Sequence, residues 1–178
     1  MDTVNKVDLI DNSENLTELL LRYSLPSYMI ENNKPIADTE IWRFLMRIFA
    51  VEGTPYFSIC INLEDGIVQY NLSDLQRVAY EVFGIDAWFY DPDGSYDETN
   101  QIFTVNPAQG LFQGNYISDI HTAIVDNTHV KTEFIVSYYT NHNGDPELCE
   151  MGLYQCTYEI INENGSCFLR LDSYGMCK

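Results

Sequence analysis

Positive charge is what this sequence has least of: nine lysines and arginines stand against 27 aspartates and glutamates, a formal net charge of −18. The basic residues never gather into a patch, so direct binding to DNA, RNA or anionic lipid is not expected. Also missing is any apolar run of about 18 residues, the length that a membrane-spanning helix needs. The opening residues, Met1-Asp2-Thr3-Val4-Asn5, lack the basic and apolar regions of a secretory signal. The expectation is a cytoplasmic location, or an extracytoplasmic one if an export signal has been removed.

The motifs of common chemistries are equally scarce. The five cysteines (Cys60, Cys149, Cys156, Cys167 and Cys177) are odd in number and contain no CxxC, which argues against a redox dithiol or a zinc knuckle. His121, His129 and His142 are far apart in the chain. No G-x-S-x-G elbow, G-x-G-x-x-G turn or phosphate-binding P-loop occurs, so neither a serine nucleophile nor a nucleotide cradle is indicated. Cys149 lies beside Asp145, Glu147 and Glu150, carboxylates that oppose thiolate formation. The acidic loop at 91–98 invites comparison with a calcium loop, but counted from Asp91 the required glycine is Tyr96 and the required glutamate is Ile102. A turn between strands, or at most a weak cation site, is the expectation there. With 27 acids, no particular pair of carboxylates is singled out for glycoside hydrolysis. Sequons at Asn15, Asn71 and Asn164 are short enough to arise by chance. No catalytic residue, cofactor or metal is expected.

What is present is core material and tyrosine. Hydrophobic residues make up 46% of the chain and 13 tyrosines give it strand-forming rings, so a folded body is expected. The acids are spread evenly, with nine in residues 1–60, ten in 61–120 and eight in 121–178, so the charge belongs to that body and not to a tail. Residues 1–15 read as a flexible arm and 16–178 as a single α+β domain.

Within that domain, Leu16, Leu19 and Leu20 suggest a short helix ended by Pro26. A second helix begins near Asp38 or Thr39, with Ile41, Phe44, Leu45, Ile48 and Phe49 at helical spacing and Gly53 and Pro55 at its end. A strand at 56–61, a turn at Glu64-Asp65-Gly66 and a strand from Ile67 to Tyr70 follow. The third helix has a possible Ser73/Gln76 capping box, an apolar stripe of Leu75, Val78, Ala79 and Val82, and Gly84 at the left-handed cap position.

From Tyr116 the apolar period changes to two, over 116–125, 129–139, 151–161 and 166–172. A turn at Asn164-Gly165 places Ile160 opposite Leu169 and Tyr158 opposite Leu171, which brings the apolar positions of both strands to one side. A loop of Asp126-Asn127-Thr128 places Ile124 opposite Val130, Ile120 opposite Phe134 and Tyr116 opposite Tyr138. The expected architecture is a set of N-terminal helices packed against a curved C-terminal antiparallel meander.

The run Leu72-Ser73-Asp74-Leu75-Gln76-Arg77-Val78-Ala79-Tyr80-Glu81-Val82-Phe83-Gly84, an aromatic Tyr-Asp loop and a tyrosine-rich meander follow one another over roughly residues 67–175. Together they resemble extracytoplasmic α+β domains of Gram-positive bacteria, including the IseA-type inhibitors of cell-wall peptidases. The resemblance implies a noncatalytic binding or inhibitory domain outside the membrane. No inhibitory residue of that family matches a numbered position here.

Three functional readings follow. The first is a protein-binding or inhibitory domain at the cell envelope, with a partner that carries a basic surface. The second is an acidic intracellular inhibitor that occupies the nucleic-acid-binding groove of its partner. The third is an enzyme with an unrecognised cleft. For the first, the candidate contact residues are Trp88, Phe89, Tyr90, Tyr96, Asp97 and Glu98, because rings anchor an interface once water is excluded. Trp88 and Phe89 are also candidates for the core.

Overall fold

The computed structural model describes residues 6–23, 34–49, 61–62, 67–105, 116–142 and 145–177. Its elements are α1 (Lys6–Tyr23), α2 (Asp38–Ile48), β1 (Ile61–Asn62), β2 (Val68–Asn71), α3 (Leu72–Phe83), β3 (Tyr96–Asp97), β4 (Ile102–Val105), β5 (Tyr116–Ile124), β6 (His129–His142), β7 (Asp145–Glu163) and β8 (Ser166–Met176). The protein is α+β with two antiparallel sheets. Where the sequence led us to expect one domain over 16–178, contacts cluster in two compact units. One is continuous, residues 36–113; the other is split in sequence, residues 1–35 with 114–178.

The continuous unit is built on two amphipathic helices. Ile41, Phe44, Leu45, Ile48 and Phe49 are all buried, as their spacing requires, and Trp42 and Met46 widen the buried face of α2. The helix end anticipated at Gly53 and Pro55 lies outside the described residues, as do most of the 56–61 strand and the 64–66 turn. Leu75, Val78, Ala79 and Val82 form the wholly buried stripe of α3.

Gly84 closes α3 at φ 70, its N–H donating to the Tyr80 carbonyl at 3.0 Å. The Ser73/Gln76 box does not form: the N-cap is Asn71, whose amide donates to Asp74 Oδ2 at 3.2 Å. The helix starts two residues sooner than that box requires, because β2 runs directly into it. The small sheet has the order β1-β2-β4-β3, and the Tyr70 hydroxyl ties β2 to α2 by donating to the Met46 carbonyl at 3.0 Å.

The split unit carries the long meander, in the order β5-β6-β7-β8. Asn164 and Gly165 take φ 53 and 82, the left-handed pair that a two-residue hairpin needs. Tyr158 accordingly faces Leu171, and Ile160 faces Leu169. The first hairpin keeps Ile124 opposite Val130, then departs from expectation. A register shift between Ser118 and His121, with Asp119 at φ 49, places Tyr116 opposite Ser137 instead of Tyr138. One extra residue flips every side chain beyond it, so Tyr116 ends up exposed. Further shifts lie between Val136 and Ser137 and between Thr157 and Tyr158. Such bulges bend and twist a sheet.

Helix α1 covers this sheet, lying against β5, β6 and β8; α2 and α3 pack in the continuous unit with β2. The helix begins at Lys6, so residues 6–15, expected in the flexible arm, form its first turns. Its buried face alternates leucines (Leu9, Leu16, Leu20 and Leu21) with the hydroxyls of Ser13 and Thr17, and these break the apolar period in the sequence.

Both hydroxyls are satisfied within the core. Thr17 Oγ1 donates to the Ser13 carbonyl at 2.8 Å, which leaves it to accept from the Tyr158 hydroxyl at 2.6 Å. Thr132 Oγ1 donates to Ser13 Oγ at 3.2 Å, and Ser13 donates onward to the Ile10 carbonyl at 2.8 Å. With its own proton so committed, Thr132 accepts from Thr122 Oγ1 at 3.1 Å. No helix among the described residues is long and apolar enough to cross a membrane.

Candidate functional site

The segment after α3 brings the candidate contact residues together on the continuous unit. Ala87 sits at φ 50, and Trp88, Phe89 and Tyr90 after it point to different surroundings. Trp88 turns inward. Its ring lies 6.3 Å from that of Trp42, and its indole N–H donates to Asp38 Oδ1 at 3.1 Å. At 3% exposure Trp88 is a core residue and not a contact residue. Tyr90 is half-buried with its ring edge-on to Trp42. Phe89 points the other way and is 52% exposed.

Asp91 then folds the chain back. Its Oδ1 accepts from the Ser95 N–H at 2.8 Å and from the Ser95 hydroxyl at 3.2 Å, and its Oδ2 accepts from the Tyr96 N–H at 3.3 Å. Gly94, at φ 65, completes the reversal. Both carboxylate oxygens of Asp91 thus serve the turn, which accounts for the spacing that suggested a calcium loop. Among the described residues no group of three or more His, Cys, Asp or Glu side chains is arranged to hold a metal.

The returning strand supports Phe89. Tyr96 in β3 pairs with Phe103 in β4, and their rings meet at 4.8 Å, tilted by 38°. The Phe89 ring meets Tyr96 edge-on at 5.1 Å and Phe103 at 5.8 Å. Phe103 in turn lies 5.2 Å from Trp42. An exposed phenyl ring is therefore seated on two others, the inner of which is wholly buried. Such edge-to-face and offset contacts fix a ring before any partner arrives.

Carboxylates follow at once. Asp97 Oδ2 accepts from the Asn100 amide at 2.7 Å, and its Oδ1 accepts from the Thr99 N–H at 2.9 Å and the Asn100 N–H at 3.3 Å. These bonds, the Asn100 amide first, hold the Asp97 carboxyl below its usual range, so it is charged and fixed in place. Asp93 and Glu98 are exposed and have no basic partner among the described residues. The sequence contains no lysine or arginine between Arg77 and Lys131. Arg43 and Arg77 pair with Glu40 and Glu81 on their own helices, at 2.7 and 3.0 Å. The result is one seated aromatic ring on a stretch of uncompensated negative charge.

Sequence reasoning passed over Phe103 and Trp42, the platform beneath Phe89. Their signal was the alternation Ile102-Phe103-Thr104-Val105 and the position of Trp42 next to the stripe of α2. Neither reveals that two segments meet. Cys156, expected on the inner face of the meander, is wholly buried there, and burial pushes its thiol up to about 12, so it stays protonated. His129 Nδ1, at the start of β6, lies 2.9 Å from the Thr128 hydroxyl and 3.3 Å from Asp126 Oδ1 of the preceding hairpin loop. Cys60 lies outside the described residues. Comparison with family models, with curated proteins and with solved structures found no match.

Proposed function

We propose that this chain is a noncatalytic protein-binding or inhibitory domain that engages a basic protein surface through Phe89, with Tyr96, Asp97 and Glu98 around it. The observation that carries the reading is the exposed Phe89 ring, already seated on Tyr96 and Phe103 and followed by fixed or unpaired carboxylates. A pre-positioned ring loses little freedom on binding, and rings of this kind dominate interface energetics. The negative field raises the encounter rate with a basic partner, and excludes acidic ones, more than it adds affinity.

The resemblance to extracytoplasmic peptidase inhibitors favours a setting at the cell envelope. The uninterrupted acidic stretch from residue 78 to 130 favours a second reading, in which the carboxylates imitate a phosphate backbone in the groove of a nucleic-acid-binding partner.

The experiment is association kinetics with a partner isolated on the immobilised protein. Phe89→Ala should raise the off-rate at least about tenfold, the size expected for an anchoring ring. Glu98→Lys should lower the on-rate, which should also fall steeply with added salt. A Phe89→Ala variant that binds as tightly as the unaltered protein would overturn the assignment. The partner's displacement from its own nucleic acid, or its identity as an envelope hydrolase, separates the two settings.

A further inference from the structure

The cluster around Phe89 has a chemistry that narrows what the ring can meet. Phe89 lies 5.1 Å from the Tyr96 ring and 5.8 Å from the Phe103 ring, with the planes inclined by 76° and 42°. Neither neighbour is laid flat across it, and the residue is 52% exposed, so a face of the ring stays open to a partner. The face of a phenyl ring carries negative potential from its π electrons, and the edge is positive. An open ring face is therefore both an apolar surface and a weak cation site.

The same stretch of chain adds negative charge. Asp86, Asp93, Asp97 and Glu98 are exposed, and none pairs with a basic side chain among the described residues. Asp97 Oδ1 accepts two N–H bonds but Oδ2 accepts one, so the carboxylate keeps a free lone pair on Oδ2. An apolar occupant would cover the ring and bring a low-dielectric surface up to these carboxylates with no countercharge, which is unfavourable. A cation meets the ring face and the carboxylates with the same sign of charge.

The ring also selects between the two cations that a protein partner offers. The lysine ammonium is compact and strongly hydrated, and must shed water to reach a ring face. The guanidinium of arginine is planar and weakly hydrated; it lies on a ring and still donates from its edge to carboxylates. The chain makes this contact within itself, where the Arg170 guanidinium carbon lies 5.7 Å from the centre of the Phe168 ring. We propose that the open face of Phe89 binds an arginine side chain of the partner by cation–π stacking, within the negative field of Asp93, Asp97 and Glu98. The inference rests on the reading of Phe89 as a contact residue and names the chemical group that it contacts.

The test uses the full chain and three labelled octapeptides, in which glycine alternates with arginine, with lysine or with citrulline, the neutral analogue of arginine. Fluorescence anisotropy should rank arginine at least about threefold above lysine, with citrulline not bound. In NMR of the complex the arginine side-chain protons should move upfield, as groups over a ring face do. Phe89→Leu keeps an apolar side chain but loses the ring, and should weaken arginine binding about threefold or more, whereas Phe89→Trp should bind at least as tightly. Equal affinity for arginine and lysine, citrulline binding as strong as arginine binding, no upfield shift, or undiminished binding by Phe89→Leu would each overturn the inference. With the isolated partner the two readings separate. If Phe89→Leu binds like the unaltered protein while Phe89→Ala fails, Phe89 remains an apolar contact and the arginine is overturned; if Phe89→Ala binds like the unaltered protein, both readings fall.

Discussion

The two units combine helices with a four-stranded antiparallel sheet, but they hold them together with different materials. In the continuous unit the core is aromatic: Trp42, Phe44, Phe49, Tyr70, Trp88 and Phe103 are buried, with Trp42 against Trp88 and Phe103, Phe49 against Tyr70, and Phe44 against Phe83. In the split unit α1 meets the sheet through a chain of hydroxyls, with Ser13, Thr17, Thr132 and Tyr158 all wholly buried. Charge does not distinguish them, since twelve acids against three basic residues in 36–113 and fifteen against six in the rest leave each at −9. The difference lies in what fixes the geometry. Apolar rings tolerate small shifts at modest cost, whereas a buried hydroxyl chain demands one register or leaves donors unsatisfied.

The sharpest way to break this comparison is to hollow each core separately. Phe103→Ala and Phe134→Ala each remove a wholly buried ring, one from each unit, and each should cost about 3–5 kcal/mol. Both tryptophans, Trp42 and Trp88, lie in the continuous unit, so their fluorescence in urea reports that unit alone. Phe103→Ala should lower the fluorescence midpoint, while Phe134→Ala should act mainly on the reactivity of the Cys156 thiol. Equal displacement of both probes by either variant would show a single cooperative core.

A smaller effect is expected from alkali. Burial raises Cys156 from its ordinary value of 9.0 to about 12 and raises Tyr158 well above its own. The unfolded chain therefore ionises first. The stability tied to Cys156 is complete below pH 9 and declines as pH rises towards 12, by a few kcal/mol at most. Urea midpoints measured from pH 8 to about 11 should fall, and Cys156→Ala should remove part of the slope, the rest coming from Tyr158, Tyr174, Cys167 and Cys177, which burial also raises. An unchanged slope in the variant would refute the assignment to Cys156.

The mildest test probes the hydroxyl chain itself. Tyr158→Phe deletes the hydrogen bond to Thr17 while Thr17 keeps the Ser13 carbonyl, so the cost should be about 1 kcal/mol. Amide exchange in α1 should quicken, and the tryptophan fluorescence midpoint should stay where it is. A shift of that midpoint instead would mean that the hydroxyls do not act on the split unit alone.

Local chemistry accounts for what could be read in advance. The stripes of α2 and α3 were legible because helix period and burial coincide there. Gly84 and Asn164-Gly165 were legible because left-handed backbone favours few residue types. Beyond those signals the legibility stops. Asp119 gives no warning that it will bulge, and so the register of β5 and the exposure of Tyr116 were missed. The first turns of α1 were hidden because Ser13 and Thr17 look like surface residues until Thr132 and Tyr158 are placed against them. At the candidate site the segment 88–98 was visible, but Trp88 and Phe89 could not be told apart, since both are large, aromatic and adjacent.

The sequence alone determined the acidic body, the α+β class, two of the helices and the last hairpin with its register. Each of these follows from composition or from interactions a few residues apart. Tertiary structure alone decided that Trp88 goes inward to Asp38 while Phe89 stays out on Tyr96 and Phe103, and that α1 packs on the sheet of the split unit. Those outcomes depend on contacts between residues many positions apart, as between Thr17 and Tyr158, and no period or propensity along the chain encodes which distant surfaces will meet.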